Sequence, residues 1–283
     1  MKNPIITLTT DFGLKDPYVA EMKAVILGIC PNAQIIDITH QIEKFNIRIG
    51  AYMLACAAPY FPKSTVHVAV VDPGVGTRRR PLLIETRKDL FIGPDNGVLA
   101  LAAKAQGIKR VYEISNRNFM LQRISNTFHG RDIFAPAAAH IANGVPPSEF
   151  GPEIEEITIP EFAKLVKRKD AIIGEVLHVD SFGNIVTNFG DKELKLMGIS
   201  ETVDVKLKDK LLALKLCKAY AEVPPKQSLA IIGSHNFLEI SINQGSAAEK
   251  FKVKAGDKIA LCREGRKSRG ARSLLQWKTA NET

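Results

Sequence analysis

Cysteine is scarce in this chain of 283 residues: four, each standing alone, with no Cys-x-x-Cys pair. That scatter speaks against a structural zinc site, and Cys30 and Cys56, set in apolar helical patterns, read as small buried hydrophobes. The expected compartment is a reducing cytoplasm. No apolar run approaches the roughly 20 residues that cross a bilayer. One of the longest, residues 20–30, carries Glu21 and Lys23. The opening stretch MKNPIITLTTDFG lacks a charged segment followed by a long apolar one, so a signal peptide is not expected. Internal repeats are missing. So is any helix-turn-helix, RNA-recognition or zinc-finger pattern.

Acid is outnumbered by base, 30 Asp and Glu against 39 Lys and Arg, which gives a net charge of +9. Such a balance raises the question of nucleic acid. Much of the excess lies in REGRKSRGARSLLQWK (263–278), where Arg263, Arg266, Lys267, Arg269, Arg272 and Lys278 face Glu264 alone. That pattern reads as a solvated basic tail, and nucleic acid is not an expected partner.

What is present is ordinary globular composition, 45% hydrophobic and 24% charged, in a chain long enough for two cores. The first half alternates strand-like and helix-like segments. Strands are expected at 5–9, 34–39, 65–71, 81–86, 90–92 and 110–114, and helices at 18–30, 47–60, 98–105 and 133–142. Alternation of this kind predicts a mainly parallel sheet covered on both faces, a three-layer α/β domain over residues 1–150. Residues 151–170 lie in a stretch rich in proline and acid and read as a linker. Beyond them short β runs recur at 171–179, 184–188, 203–207, 211–216, 229–232, 238–242 and 258–261. They predict a smaller antiparallel barrel or sandwich over 171–262, with the tail at 263–283.

Residues 11–13 spell Asp-Phe-Gly, the magnesium-holding signature of protein kinases. Here it follows the first strand directly, with no glycine-rich loop or strand lysine before it. The nearest His-Arg-Asp is His129-Gly130-Arg131-Asp132, interrupted and in the wrong order, so a kinase is excluded.

Ligands of open α/β sheets bind at the carboxyl ends of strands, and three polar clusters fall there. Asp11 and Asp16 follow the first strand. Asp72 follows the third in VDPGVGTRRR, which supplies Arg78, Arg79 and Arg80. His129 stands in NTFHGRD before a helix. Asp16 equally suits a helix cap, whereas plain turn chemistry is the lesser of two readings for Asp72 before Pro73-Gly74. Gly74-Val75-Gly76 is an incomplete dinucleotide fingerprint. Of the three successive arginines, two are expected to be solvated. His40, His67, His140 and His178 sit on apolar patterns and read as structural. Asp11, Asp72 and His129 could form a metal triad. The adjacent arginines oppose a cation, so the grouping suits an anion or a polarised water better.

Together TTDFG, VDPGVGTxRR, FHGRD, DSFGN and GSxxxLEI resemble, in order over residues 5–262, the S-adenosylmethionine hydrolases or hydroxide adenosyltransferases, relatives of the fluorinating and chlorinating enzymes. The resemblance implies cleavage of S-adenosylmethionine at the ribose 5′ carbon by water, giving adenosine and L-methionine, with no metal and no cofactor. It implies an α/β domain followed by a β-barrel, assembled as a homotrimer with inter-subunit active sites. It carries the catalytic roles onto Asp72, Arg79 and His129, and the substrate-binding roles onto Asp11, Asp16, Phe128, Asp180, Phe182, Asn184, Ser234, Glu239 and, through its backbone, Ile242. Halogenating relatives carry Tyr-Ser where this chain has His129-Gly130, and Tyr in place of Asp72. His235 stands where some relatives place Arg, at the methionine carboxylate. Two other readings remain: a chlorinase-like halogenase, and a non-catalytic adenosine or S-adenosylmethionine-binding protein.

Overall fold

The first strand, β1 (Ile5–Thr10), is apolar and β-branched, and its neighbours explain why. In the computed structural model, which describes residues 3–263, β1 lies between two parallel partners. These are β2 (Gln34–Thr39) and β3 (Val66–Val70), reached through helices α1 (Tyr18–Ile29) and α2 (Ile47–Ala57). The sheet continues with β4 (Pro81–Thr86) and β5 (Leu90–Pro94), then α3 (Ala100–Gln106) and β6 (Ile108–Glu113), in the spatial order β2-β1-β3-β5-β4-β6. Pairings β1–β2, β1–β3 and β3–β5 are parallel, whereas β4 runs antiparallel to β5 and β6. Helix α4 (Ala135–Ala142) completes this unit.

Two cores flank the sheet, as a sheet covered on both faces requires. On one face Met22 and Ile26 of α1 and Ala135, Ala138 and Ile141 of α4 pack in one core with Val66, Val68 and Val70. On the other Leu54 of α2 and Ala102 and Ala103 of α3 pack with Ala69 and Val71. Successive β3 residues thus serve opposite cores, and the strand carries one side chain that is not apolar. That residue, His67, is fully buried with Thr7 Oγ1 at 2.8 Å from Nδ1 and Asp89 Oδ2 at 3.5 Å from Nε2.

The chain divides at 163/164. Residues expected as the start of a linker instead belong to the first unit. Ile154 donates to Val111, Glu113 donates to Pro152, and Ile154 and Ile157 pack on the second core. The spaced apolar residues in this acidic stretch drive that docking.

The second unit is a barrel. Its strands are β7 (Val166–Lys167), β8 (Ala171–Val179), β9 (Ile185–Gly190), β10 (Thr202–Leu207), β11 (Lys210–Cys217), β12 (Ser228–Ile232), β13 (Phe237–Ile242) and β14 (Lys258–Cys262). The order β14-β10-β11-β12-β13-β9-β8 closes through β14–β8, with β7 added outside on β8. Closure removes the exposed edges of an open sheet. All pairings are antiparallel except a short parallel one between β11 and β12. Two short helices, α5 (Asp191–Met197) and α6 (Ala247–Phe251), escaped the sequence reading; each is too brief to show a period. Leu194, Met197, Ala247 and Phe251 bury them against the barrel core. All four cysteines are free thiols. Among the described residues no helix is long and apolar enough to cross a membrane. The basic tail lies outside the described residues apart from Arg263, which donates to the Asp170 carbonyl.

Candidate active site

Strand order reverses at β1, with β2 on one side and β3 on the other. Such a switch point opens a crevice at the carboxyl ends of the two strands. Thr10 is in register with Val70, so Asp11 and Asp72 leave adjacent strand ends. Asp11 is 5% exposed and its Oδ2 accepts from the Phe45 amide at 2.8 Å. Lys44 Nζ donates to the Asp11 carbonyl at 2.6 Å. Behind it, Thr10 Oγ1 meets His40 Nδ1 at 2.8 Å and also accepts from Phe12, while His40 Nε2 lies 3.1 Å from Asp37. His40 therefore supports the loop that carries Asp11. Phe45, with φ at 65° and 67% exposed beside that carboxylate, gave no signal in the sequence because the contact spans 34 positions.

Asp72 and Arg79 form a pair that is almost wholly buried. Arg79 Nε and Nη2 donate to Asp72 Oδ2 at 2.9 and 2.6 Å. The same Nη2 lies 2.8 Å from His129 Nδ1. A guanidinium only donates, so Nδ1 accepts. Burial first, and then the Arg79 charge, hold the His129 pKa below its ordinary value. The Arg79 guanidinium also lies over the Phe134 ring at 5.2 Å. The other two arginines differ: Arg78 is exposed, but Arg80 is not simply solvated, since it clasps Asp95 at 2.6 Å and the Glu156 carbonyl at 2.9 Å.

The glycines of VDPGVG serve the loop's path. Gly76 has φ at 76°, and a Cβ there would fall 2.2 Å from the Asn126 carbonyl oxygen. The loop bearing Arg79 can thus lie against the one that leads to His129 only with glycine at this position. Gly76→Ala is expected to cost about 1–3 kcal/mol from the backbone conformation alone. Thermal melting would check it; a variant as stable as the parent would refute the close approach.

His129 precedes a single π-helical turn, Gly130–Phe134, that runs into α4. Turns of this kind recur at functional sites. Arg131 ties this turn to α1 through Glu21 at 2.7 Å, binds Asp132 at 2.7 Å and stacks on Phe128. Asp132 accepts from the Ser125 amide at 2.7 Å. Phe128, Phe12 and Tyr18 form an edge-to-face trio. A Cβ on Gly130 would meet Phe128 at 3.2 Å, Met22 Sδ at 3.3 Å and Phe12 at 3.4 Å, which leaves little room for a serine. Asp16 is exposed and does not cap α1, whose N-cap is Pro17.

In the barrel unit Asp180 organises a turn. Its Oδ1 accepts from the Phe182 and Asn184 amides and its Oδ2 from the Asn184 side chain, at 2.8–2.9 Å. Phe182 projects with 78% exposure and Asn184 is buried. Glu239 is buried and accepts from Tyr220 Oη at 3.2 Å. Burial, with Asp180 adding its charge, raises the Glu239 pKa, and burial pushes the Tyr220 phenol up to about 12. Tyr220, in a short 3-10 turn, was not singled out from the sequence. Ser234 and His235 are exposed neighbours, Oγ and Nδ1 3.4 Å apart. The Ile242 carbonyl accepts from the Gly245 amide. Among the described residues no three His, Cys, Asp or Glu are grouped to hold a metal.

Comparison with known proteins bears on both units. Residues 6–151 match the SAM hydroxide adenosyltransferase N-terminal domain and residues 174–260 the C-terminal domain. The chain is 37% identical over 261 residues to an (R)-S-adenosyl-L-methionine hydrolase of Salinispora tropica, covering 91% of this chain and 97% of that one. A protein of the same description from Methanocaldococcus jannaschii is 39% identical, with 91% and 95% covered. A fluorinase of Nocardia brasiliensis is more distant, 27% identical with 92% and 97% covered. The crystal structure of an uncharacterized conserved protein from Thermotoga maritima aligns with a TM-score of 0.79 at 42% identity, over 92% of this chain and all of that one. On the strength of both matched domains and these relatives, the chain belongs to the SAM hydroxide adenosyltransferase family.

Proposed function

We propose that this chain hydrolyses S-adenosyl-L-methionine at the ribose 5′ carbon, releasing adenosine and L-methionine. One observation carries the reading: a single buried guanidinium, Arg79, hydrogen-bonds both Asp72 and His129 in the switch-point crevice beside Asp11. The relatives described as (R)-S-adenosyl-L-methionine hydrolases support it.

A sulfonium leaves readily and needs no acid. The barrier lies in holding a neutral, weak nucleophile in line behind the carbon, and such alignment can supply about 7–11 kcal/mol. Asp11 takes the ribose hydroxyls, with Oδ2 already fixed by the Phe45 amide. Arg79 favours negative charge on the bound water, and Asp72 and His129 hold it. Phe128 and Asp16, in the loops that carry His129 and Asp11, are assigned to substrate binding. In the barrel unit Phe182, Asn184, Ser234, Glu239 and Ile242 receive the adenine and the methionine moiety, and Asp180 acts by shaping their turn. The active form is a cytoplasmic homotrimer that uses neither metal nor cofactor.

Incubated with S-adenosyl-L-methionine and excess chelator, the protein should release adenosine and methionine in equal amounts at an undiminished rate. Added chloride or fluoride should give no halogenated deoxyadenosine, in keeping with Gly130 and Asp72. Absence of adenosine at every pH and salt concentration would overturn the proposal, and light scattering at other than three times the chain mass would overturn the trimer.

A further inference from the structure

The Arg79–His129 contact has a consequence for where the water's proton goes. Arg79 Nη2 donates to His129 Nδ1 at 2.8 Å, and guanidinium has no acceptor and does not deprotonate. The Nδ1 lone pair is therefore engaged, and the neutral ring carries its proton on Nε2. An imidazolium would set an N–H against the N–H of Arg79. The charged groups facing the ring are Arg79, Asp72 and Asp132, and burial and Arg79 outweigh the two carboxylates in keeping it neutral. With Nδ1 engaged and Nε2 protonated, His129 has no lone pair to offer a water. Arg79 has none either. Asp72 has: Oδ2 holds both bonds from Arg79, and Oδ1 is buried with no hydrogen-bond partner among the described residues. Proteins seldom leave a buried carboxylate oxygen unpaired unless it has other work.

The geometry points to the Asp72 carboxylate as the group that takes the water's proton, with His129 serving as a hydrogen-bond donor to the water through Nε2–H. This rests on the hydrolysis reading. In the step itself the water oxygen bonds to C5′ as the C5′–S bond breaks, and that electron pair stays on sulfur as the methionine thioether. The proton released from the water passes to Asp72, which later returns it to solvent, so the sulfonium charge leaves as one proton. A weak base suffices, because the water becomes strongly acidic as its bond to carbon forms. His129 and Arg79 are then fixed donors that need not change protonation during turnover.

The ring of His129, 15N-labelled in the full chain, should show Nδ1 unprotonated and Nε2 protonated at neutral pH, with or without substrate. Asp72→Ala should lower turnover by about 10²–10⁴-fold, the usual contribution of a general base, and formate should restore part of it. A proton on Nδ1, a doubly protonated ring, or a folded Asp72→Ala variant that formate leaves unchanged would each overturn the assignment. The ring measurement needs no turnover, so it stands apart from the hydrolysis reading. That reading falls only if the parent protein releases no adenosine.

Discussion

Replacing Arg79 with Met should lower the rate of adenosine release by about 10²–10⁴-fold and destabilise the fold as well. The catalytic loss follows from one nitrogen that serves two partners: without Nη2 neither Asp72 nor His129 keeps its orientation, and the positive charge beside the water is gone. A preorganised donor or base at such a site is worth that order of magnitude. The structural loss follows from burial. Asp72 and Arg79 side chains are 4% and 9% exposed, and a buried carboxylate stripped of its partner costs about 3–5 kcal/mol. Single-turnover kinetics and thermal melting would read the two separately. A variant with unchanged turnover would remove Arg79 from the mechanism.

The substitution should also alter how stability depends on pH. His129 is held below its ordinary 6.5 in the fold, by burial first and Arg79 second. Below 6.5 the unfolded chain binds a proton that the fold refuses. This contribution is therefore complete above 6.5 and is lost as pH falls toward the folded value. Removing the Arg79 charge raises the folded pKa part of the way back, so the variant should lose less stability on acidification than the parent.

Asp11→Ala should reduce kcat/KM by about 10²–10⁴-fold. Two charge-assisted hydrogen bonds to ribose hydroxyls are worth roughly 1.5–3 kcal/mol each. The Phe45 amide would lose its acceptor at the same time, loosening the loop of Lys44 and Phe45. Part of the loss should fall on kcat, because a sugar that is not pinned presents its carbon out of line. A change confined to KM, with kcat untouched, would mean that Asp11 binds without aligning.

The candidate residues were legible in the chain because polar residues at strand ends are conspicuous against apolar strands. Asp11 and Asp72 follow β-branched runs, and His129 stands beside a glycine at a loop-to-helix boundary. Tyr220 and Phe45 were not legible, since their partners Glu239 and Asp11 lie 19 and 34 positions away. The resemblance gives Asp180 a substrate-binding role; that it also organises its own turn depends on which amides reach its oxygens, which the chain alone does not show. Residues 151–163 looked like a linker because local composition does not report that Ile154 and Ile157 find a core.

Periodicity and punctuation fixed the elements: period two or unbroken apolar runs for strands, helical spacing for α1, α2 and α4, and glycine and proline at the turns. These are local properties, so one dimension suffices to write them. Three-dimensional packing fixed the rest. It closed the barrel through β14 and β8, added one parallel pair to it, and ran β4 against its neighbours. It also brought Asp72, Arg79 and His129, 50 positions apart at the widest contact, onto one hydrogen-bonding nitrogen. A hydrogen bond requires a few tenths of an ångström and a direction, and neither is set until the chain has folded.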